Sequence, residues 1–165
     1  MPISHEIRLA KCEDLLTIKT IEFEANPFPW TEQALRTSLN PPNQCYVLCA
    51  SNTVEAYLIG FSAAQEASLL HIVVSKPNQG KGLATKLLSF WLDHLRDGQN
   101  IDECWLEVRQ SNLVAQQMYQ NLGFKQVSIR KAYYANSSQS NDNAVKGERP
   151  SREDALIYRL ILNQE

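Results

Sequence analysis

The 165 residues spell out a mixed α/β fold, α+β in character, as one domain with helices flanking a central, mostly antiparallel sheet. Three stretches carry that expectation. Residues 45–50, 56–64 and 68–74 follow one another as short apolar strands, the first two joined around Ser51-Asn52, as in an antiparallel meander. Over residues 82–96, Ala84, Leu87, Leu88, Trp91 and Leu95 fall at i, i+3, i+4, i+7 and i+11, the stripe of an amphipathic helix. Residues 104–108 are apolar except at Glu107 and read as a central strand covered on both sides. A doubly wound sheet would alternate strand and helix regularly, and this order does not.

The remaining elements follow in chain order. Ile7 and Leu9 mark a short first strand, and a helix over residues 11–24 carries Leu15, Ile18 and Ile21 or Glu22 on one face. Two prolines bracket Phe28 in Asn26-Pro27-Phe28-Pro29-Trp30-Thr31. Thr31 is placed to cap a helix reaching about Leu39, and Asn40-Pro41-Pro42-Asn43 stops it. Asp97-Gly98 ends the main helix. Ser111-Asn112 caps a helix over residues 113–122, and Gly123 supplies its left-handed end. Strands over 127–134 and 155–162 complete the sheet. Between them, residues 135–151 are rich in Ser, Asn and Gln and read as an exposed, mobile loop.

A formal charge of -2 and 44% hydrophobic residues suit a soluble globular domain and argue against an electrostatic nucleic-acid binder. The amino terminus lacks the apolar core of a secretion signal, and no apolar run approaches a membrane span. The expected setting is the cytoplasm, with no direct nucleic-acid or membrane partner. Cys12, Cys45, Cys49 and Cys104 form no C-x-x-C pair and have no histidine at ligand spacing. They read as small buried hydrophobes, and no metal site is expected.

The chemistry begins at the strand His71-Ile72-Val73-Val74, which runs into Gln79-Gly80-Lys81-Gly82-Leu83-Ala84 and at once into the main helix. The first N–H groups of a helix have no partner within it, and the aligned peptide dipoles make that end partly positive. With glycines beside it, the backbone can approach a phosphate or pyrophosphate closely. Lys81 sits between the glycines without the G-K-[ST] of a P-loop, and Thr85 stands where a dinucleotide fingerprint needs its third glycine.

Glu107, in an apolar strand, is either a partner for Arg109 or a general base. Enclosure by Trp105, Leu106 and Val108 would raise its pKa toward the range useful against an ammonium group. Tyr119, near Ala115, Met118 and Leu122 on a helical face, is either core or a proton donor to a leaving group. Asn112 is first a helix cap and second a hydrogen-bonding ligand group.

Gln79, Gly82 and Ala84 form a Q-x-x-G-x-A pattern that resembles the acetyl-CoA pyrophosphate loop of the GNAT acetyltransferase superfamily. Residues 105–112, Trp-Leu-Glu-Val-Arg-Gln-Ser-Asn, followed by Ala115, Tyr119 and Leu122-Gly123-Phe124, resemble the segment of the RimI type, the ribosomal-protein-alanine N-acetyltransferases. Phe28-Pro29-Trp30-Thr31, Tyr133-Tyr134 and Arg152-Glu153-Asp154-Ala155 resemble further segments of that type, in the same order.

The resemblance implies a sheet splayed between its fourth and fifth strands, with acetyl-CoA as acetyl donor. It places the general base on Glu107 and the general acid on Tyr119. Cofactor contacts fall on Ile72, Val73 and Val74, on Gln79, Gly80, Lys81, Gly82, Leu83, Ala84 and Thr85, and on Asn112. The implied acceptor is the N-terminal alanine of a small-subunit ribosomal protein.

Three departures stand out: Ser75-Lys76-Pro77-Asn78 replaces the common D-P-x-[FY], Thr85 replaces a frequent arginine, and the connection over 135–151 is long. A lysine side chain, another N terminus or a small amine is the alternative acceptor. A non-catalytic acyl-CoA-binding module is the alternative of a different class.

Overall fold

Runs of consecutive apolar strand residues lie inside, and the meander shows it. In this computed structural model, which describes residues 4–98, 100–135 and 152–163, β2 (Asn43–Ala50) and β3 (Thr53–Ala63) bury Val47, Leu48, Ala56, Tyr57 and Leu58 completely. β1 (His5–Leu9) and β4 (Glu66–Val74) flank them, and all neighbouring pairs are antiparallel, with Ile7 opposite Leu48, Val47 opposite Tyr57 and Leu58 opposite Ile72. β5 (Glu103–Arg109), β6 (Lys125–Ala135) and β7 (Arg152–Ile161) complete a seven-stranded sheet of order β1-β2-β3-β4-β5-β7-β6.

Among the described residues, four helices accompany it: α1 (Leu15–Ala25), α2 (Glu32–Ser38), α3 (Leu83–Gly98) and α4 (Leu113–Asn121). Among the described residues, no helix is long and apolar enough to cross a membrane. The chain divides into two compact units, residues 1–105 with 161–165 and residues 106–160.

In the first unit, Ile18 and Ile21 of α1 pack with Leu35, Val47, Tyr57 and Ile59. On α3 the expected stripe is the buried face, with Leu87, Leu88, Trp91 and Leu95 all without exposed surface. Each such side chain contributes about 1.5–3 kcal/mol of apolar transfer on burial. Trp91 lies so close to β3 that a Cβ at Gly60 would meet its ring at 2.2 Å, and its indole N–H donates to Gln44 at 2.9 Å. Glycine is required at position 60 for want of space, not for its conformational freedom.

Thr31 caps α2 as expected, its Oγ1 accepting from the Ala34 N–H at 3.2 Å. The helix expected over 11–24 begins instead as a 3-10 turn at Cys12–Asp14. The reason is Asp14, whose carboxylate accepts the Lys11 N–H at 2.7 Å and both ends of the Arg8 guanidinium at 2.7 and 2.9 Å. The α3 helix runs through Gly98 rather than stopping before it.

Cys12 is exposed, unlike the buried Cys45, Cys49 and Cys104. Ala135, expected in the loop, belongs to β6, and the rest of that stretch lies outside the described residues. On β5 the expectation of two covered faces also fails. Cys104, Leu106 and Val108 are buried, while Glu103, Trp105, Glu107 and Arg109 alternate with them and are half-buried.

Candidate active site

The glycine loop of the first unit is a braced cradle. After β4, Ser75 donates its N–H to the Glu55 backbone carbonyl at 2.8 Å, a 3-10 turn covers Lys76–Asn78, and the Gln79 side chain donates back to the Val74 carbonyl at 3.1 Å. Gln79 thus ties the loop to the strand end. Lys81 is held at the loop by Asn78, Nζ to Oδ1 at 2.8 Å.

Gly80 and Gly82 have φ of +73° and +76°, and a Cβ added to either would meet no atom within 4 Å. The left-handed backbone therefore calls for glycine while leaving open space over the loop. The first bond of α3 runs from the Lys86 N–H to the Gly82 carbonyl at 3.0 Å, so the N–H groups of Leu83, Ala84 and Thr85 have no acceptor within the helix. Ile72, Val73 and Val74 lead into this loop at the end of β4, the last two buried. A phosphate-bearing ligand fits such a seat, where free N–H donors, a helix N-terminus and a lysine meet open space.

The second unit holds Glu107, Asn112 and Tyr119. Glu107 Oε1 meets Arg130 Nη1 at 2.7 Å, so its partner is neither Arg109 nor an apolar enclosure. Leu106 and Val108, expected around it, turn to the opposite face of β5. Arg109 pairs with Glu153 at 3.3 Å, donates to the Ala135 carbonyl at 3.3 Å, and lies 4.3 Å over the Tyr134 ring. Burial, followed by the nearby Glu107 charge, pushes the Tyr134 hydroxyl up to about 12, so it remains a proton-bearing donor at neutral pH.

The last strand explains this arrangement residue by residue. Arg152 donates to the Ala132 carbonyl at 3.2 Å. Glu153 receives the Ser111 N–H as well as Arg109. Asp154 accepts the Ala132 N–H at 2.8 Å and Lys131 Nζ at 2.9 Å. Ala155 is fully buried opposite Arg130. Asp154 thereby holds a bulge in β6 between Arg130 and Tyr134, where Ala132 adopts a φ of +49°.

Asn112 caps α4, its Oδ1 accepting from the Ala115 N–H at 3.2 Å. Tyr119 is buried, its ring edge-on to Phe124 at 5.9 Å and tilted to Tyr158 at 6.4 Å.

One cluster escaped the sequence reading. Glu22 has no exposed surface, yet it accepts bonds from the Tyr57 hydroxyl, His71 Nε2 at 2.9 Å, the Trp30 N–H at 2.7 Å and Asn26 Nδ2 at 2.9 Å. The Trp30 indole stacks on His71 at 4.6 Å. Burial pushes the Glu22 carboxyl up, but His71, by hydrogen bond and charge, with Tyr57 and Trp30 outweighs it and holds the group at about 2. The available signal was a glutamate at a buried-face position of α1, i+4 from Ile18, eight residues before Trp30.

A family model described as the acetyltransferase (GNAT) family matches residues 12–124. The chain is 33% identical over 133 residues to the ribosomal protein bS18-alanine N-acetyltransferase of Haemophilus ducreyi, covering 81% of this chain and 91% of that protein. It is 31% identical over 150 residues to the protein of the same name from Escherichia coli K12, covering 91% and 93%. The crystal structure of the ribosomal-protein-S18-alanine N-acetyltransferase from Escherichia coli superposes with a TM-score of 0.85 at 30% identity, over 98% of this chain and 96% of that one.

Proposed function

This chain belongs to the acetyltransferase (GNAT) family and is an acetyl-CoA-dependent N-acetyltransferase, and on that premise we propose that its acceptor is the N-terminal alanine of a small-subunit ribosomal protein. The observation that carries this reading is identity of 31–33% over 81–91% of the chain to enzymes named for that reaction on bS18. A ribosomal acceptor makes the cytoplasm the place of work.

The residues supply a direct transfer. The loop N–H groups of Leu83, Ala84 and Thr85, with Lys81, bind the pyrophosphate of acetyl-CoA, beside Gln79, Gly80 and Gly82. Ile72, Val73 and Val74 line the arm leading to the thioester, and Asn112 adds a polar contact.

An ammonium has no lone pair, so the acceptor must first lose a proton. Glu107 takes it, directly or through a water. The amine nitrogen then forms a bond to the thioester carbon, and a backbone N–H near Val74 stabilises the oxygen as charge develops on it. The carbon–sulfur bond breaks and the thiolate takes a proton from Tyr119; the nitrogen gives up its second proton, which returns to Tyr119 through solvent, and Glu107 releases the first to solvent. An N-terminal amine, with an ordinary pKa near 8, gives up its proton more readily than a lysine near 10.4.

The test is an acetyl-CoA assay on peptides beginning with Ala, Ser, Met or Gly, with internal-lysine peptides as controls. Preferential acetylation of the Ala peptide on its α-amine, read by mass spectrometry, is the expected result. Modification confined to lysine side chains would replace this reading with the lysine acceptor.

A further inference from the structure

Arg130 stands opposite Ala155 in the register of β6 and β7. Alanine there carries a single carbon, and the arginine extends as far as β5, where Nη1 meets Glu107 Oε1 at 2.7 Å. Its guanidinium also lies 4.7 Å over the Tyr133 ring. One cation thus has an anion before it and an aromatic face behind it.

At hydrogen-bond distance from the carboxylate read above as the base, this group presents what an acceptor would present, a positive charge bearing N–H. An arginine keeps its proton at any working pH, so it can neither be acetylated in place of the acceptor nor feed a proton to the reaction. It can only occupy.

We propose that Arg130 is an internal counterpart of the acceptor's ammonium, and that a peptide binds by displacing the guanidinium from Glu107 while Tyr133 continues to hold it. This rests on the reading of Glu107 as the base. The exchange is feasible because the pair is partly open to water: the Arg130 side chain is 49% exposed and that of Glu107 30%. Ion pairs so placed are weak, and the ring face offers the displaced cation a second attraction. Arg109 makes the contrast, tied at once to Glu153, the Ala135 carbonyl and the Tyr134 face. Of these two guanidiniums, each facing a tyrosine, one is anchored and the other is exchangeable. The outcome is a tax on weak amine binders, since every acceptor must outcompete a resident cation for the same oxygen.

The test uses the whole chain with the preferred N-terminal peptide. Arg130→Gln removes the charge and should lower the peptide KM by about two- to fivefold, the range set by an exposed ion pair, with the change in KM rather than kcat. Arg130→Lys restores a cation and should return KM toward the wild-type value. A desamino peptide, carrying hydrogen in place of the α-amine and used as a competitive inhibitor, should show the same Ki with the wild-type enzyme and with Arg130→Gln, because it brings no ammonium. An unchanged or higher KM in Arg130→Gln, or a desamino Ki that falls by the same factor, would overturn the proposal. Glu107→Gln separates the layers. If that variant turns over at the wild-type rate, the reading of the base fails; if it is impaired while Arg130→Gln leaves KM alone, only the displacement fails.

Discussion

Glu22 and Glu107 each stand between two apolar residues along the chain, and the fold surrounds them in opposite ways. Glu22, in the first unit, is out of contact with water and receives four kinds of donor from the C-cap of α1, the loop after it, β3 and β4. Glu107, in the second, is half-buried and meets a guanidinium that is itself half in solvent. Burial alone therefore does not mark a carboxylate that works. A group whose lone pairs are filled by fixed donors has no capacity left for a travelling proton, and it serves to join elements. A group with a removable partner can exchange protons and ligands.

The sharpest way to break this contrast is a crossed pair of substitutions. Glu107→Gln should lower kcat by about a hundred- to ten-thousandfold, the usual worth of a general base. Its urea midpoint should stay at the wild-type position. A midpoint that moved with the rate would make Glu107 a structural group like Glu22.

The reciprocal change, Glu22→Gln, should cost about 2–3 kcal/mol of stability, since it turns charged hydrogen bonds in the interior into neutral ones and presents an NH2 to donors. Urea unfolding measures it. The pH dependence sharpens the same point. The Glu22 carboxyl titrates at about 2 in the fold against an ordinary 4.5. A depressed folded value contributes stability that is fully present above about pH 4.5 and is lost as pH falls toward 2, on the order of 3 kcal/mol. Wild type should therefore lose more stability across that window than Glu22→Gln, and parallel acid curves for the two would remove Glu22 as the cause.

The smallest effect concerns the bulge that presents Arg130. Ala132 holds a left-handed backbone at φ +49°, a conformation that costs a residue with a Cβ about 1 kcal/mol. Ala132→Gly should raise stability by roughly that amount, offset in part by the greater freedom of glycine in the unfolded chain. No gain in the urea midpoint would mean that the Asp154 bonds already absorb the strain.

What could be seen in advance followed distance along the chain. The Thr31 cap, the Asn112 cap and the α3 stripe depend on residues within a few positions of each other, and all three stand as expected. The glycine loop was legible for the same reason, because a left-handed backbone and free N–H groups are local properties. The break at Cys12–Asp14 was not, because it needs Arg8 from the neighbouring strand to hold Asp14. Periodicity reached Glu22 as a buried-face position but could not name its donors, which lie as far away as His71. Arg130 was hidden most deeply. Its meeting with Glu107 depends on a small residue at 155, a bulge held by Asp154 and a register across strands, none of which leaves a pattern near either residue.

A residue with no side chain settles where the open N–H groups of α3 lie. The gap over Gly60 is a notch in the surface of β3, and the Trp91 indole is the key that drops into it. Sliding α3 by one turn, about 5.4 Å, would lift the key onto filled strand and pull its N–H from Gln44. The first residue of the helix, Leu83, lies eight positions before Trp91, about 12 Å along the axis. The lock at one point of the sheet thus sets the height of the N–H groups at the far end. If the loop is the proposed cofactor seat, a larger residue at position 60 would act on cofactor affinity from a distance, by resetting the helix and not by touching the ligand.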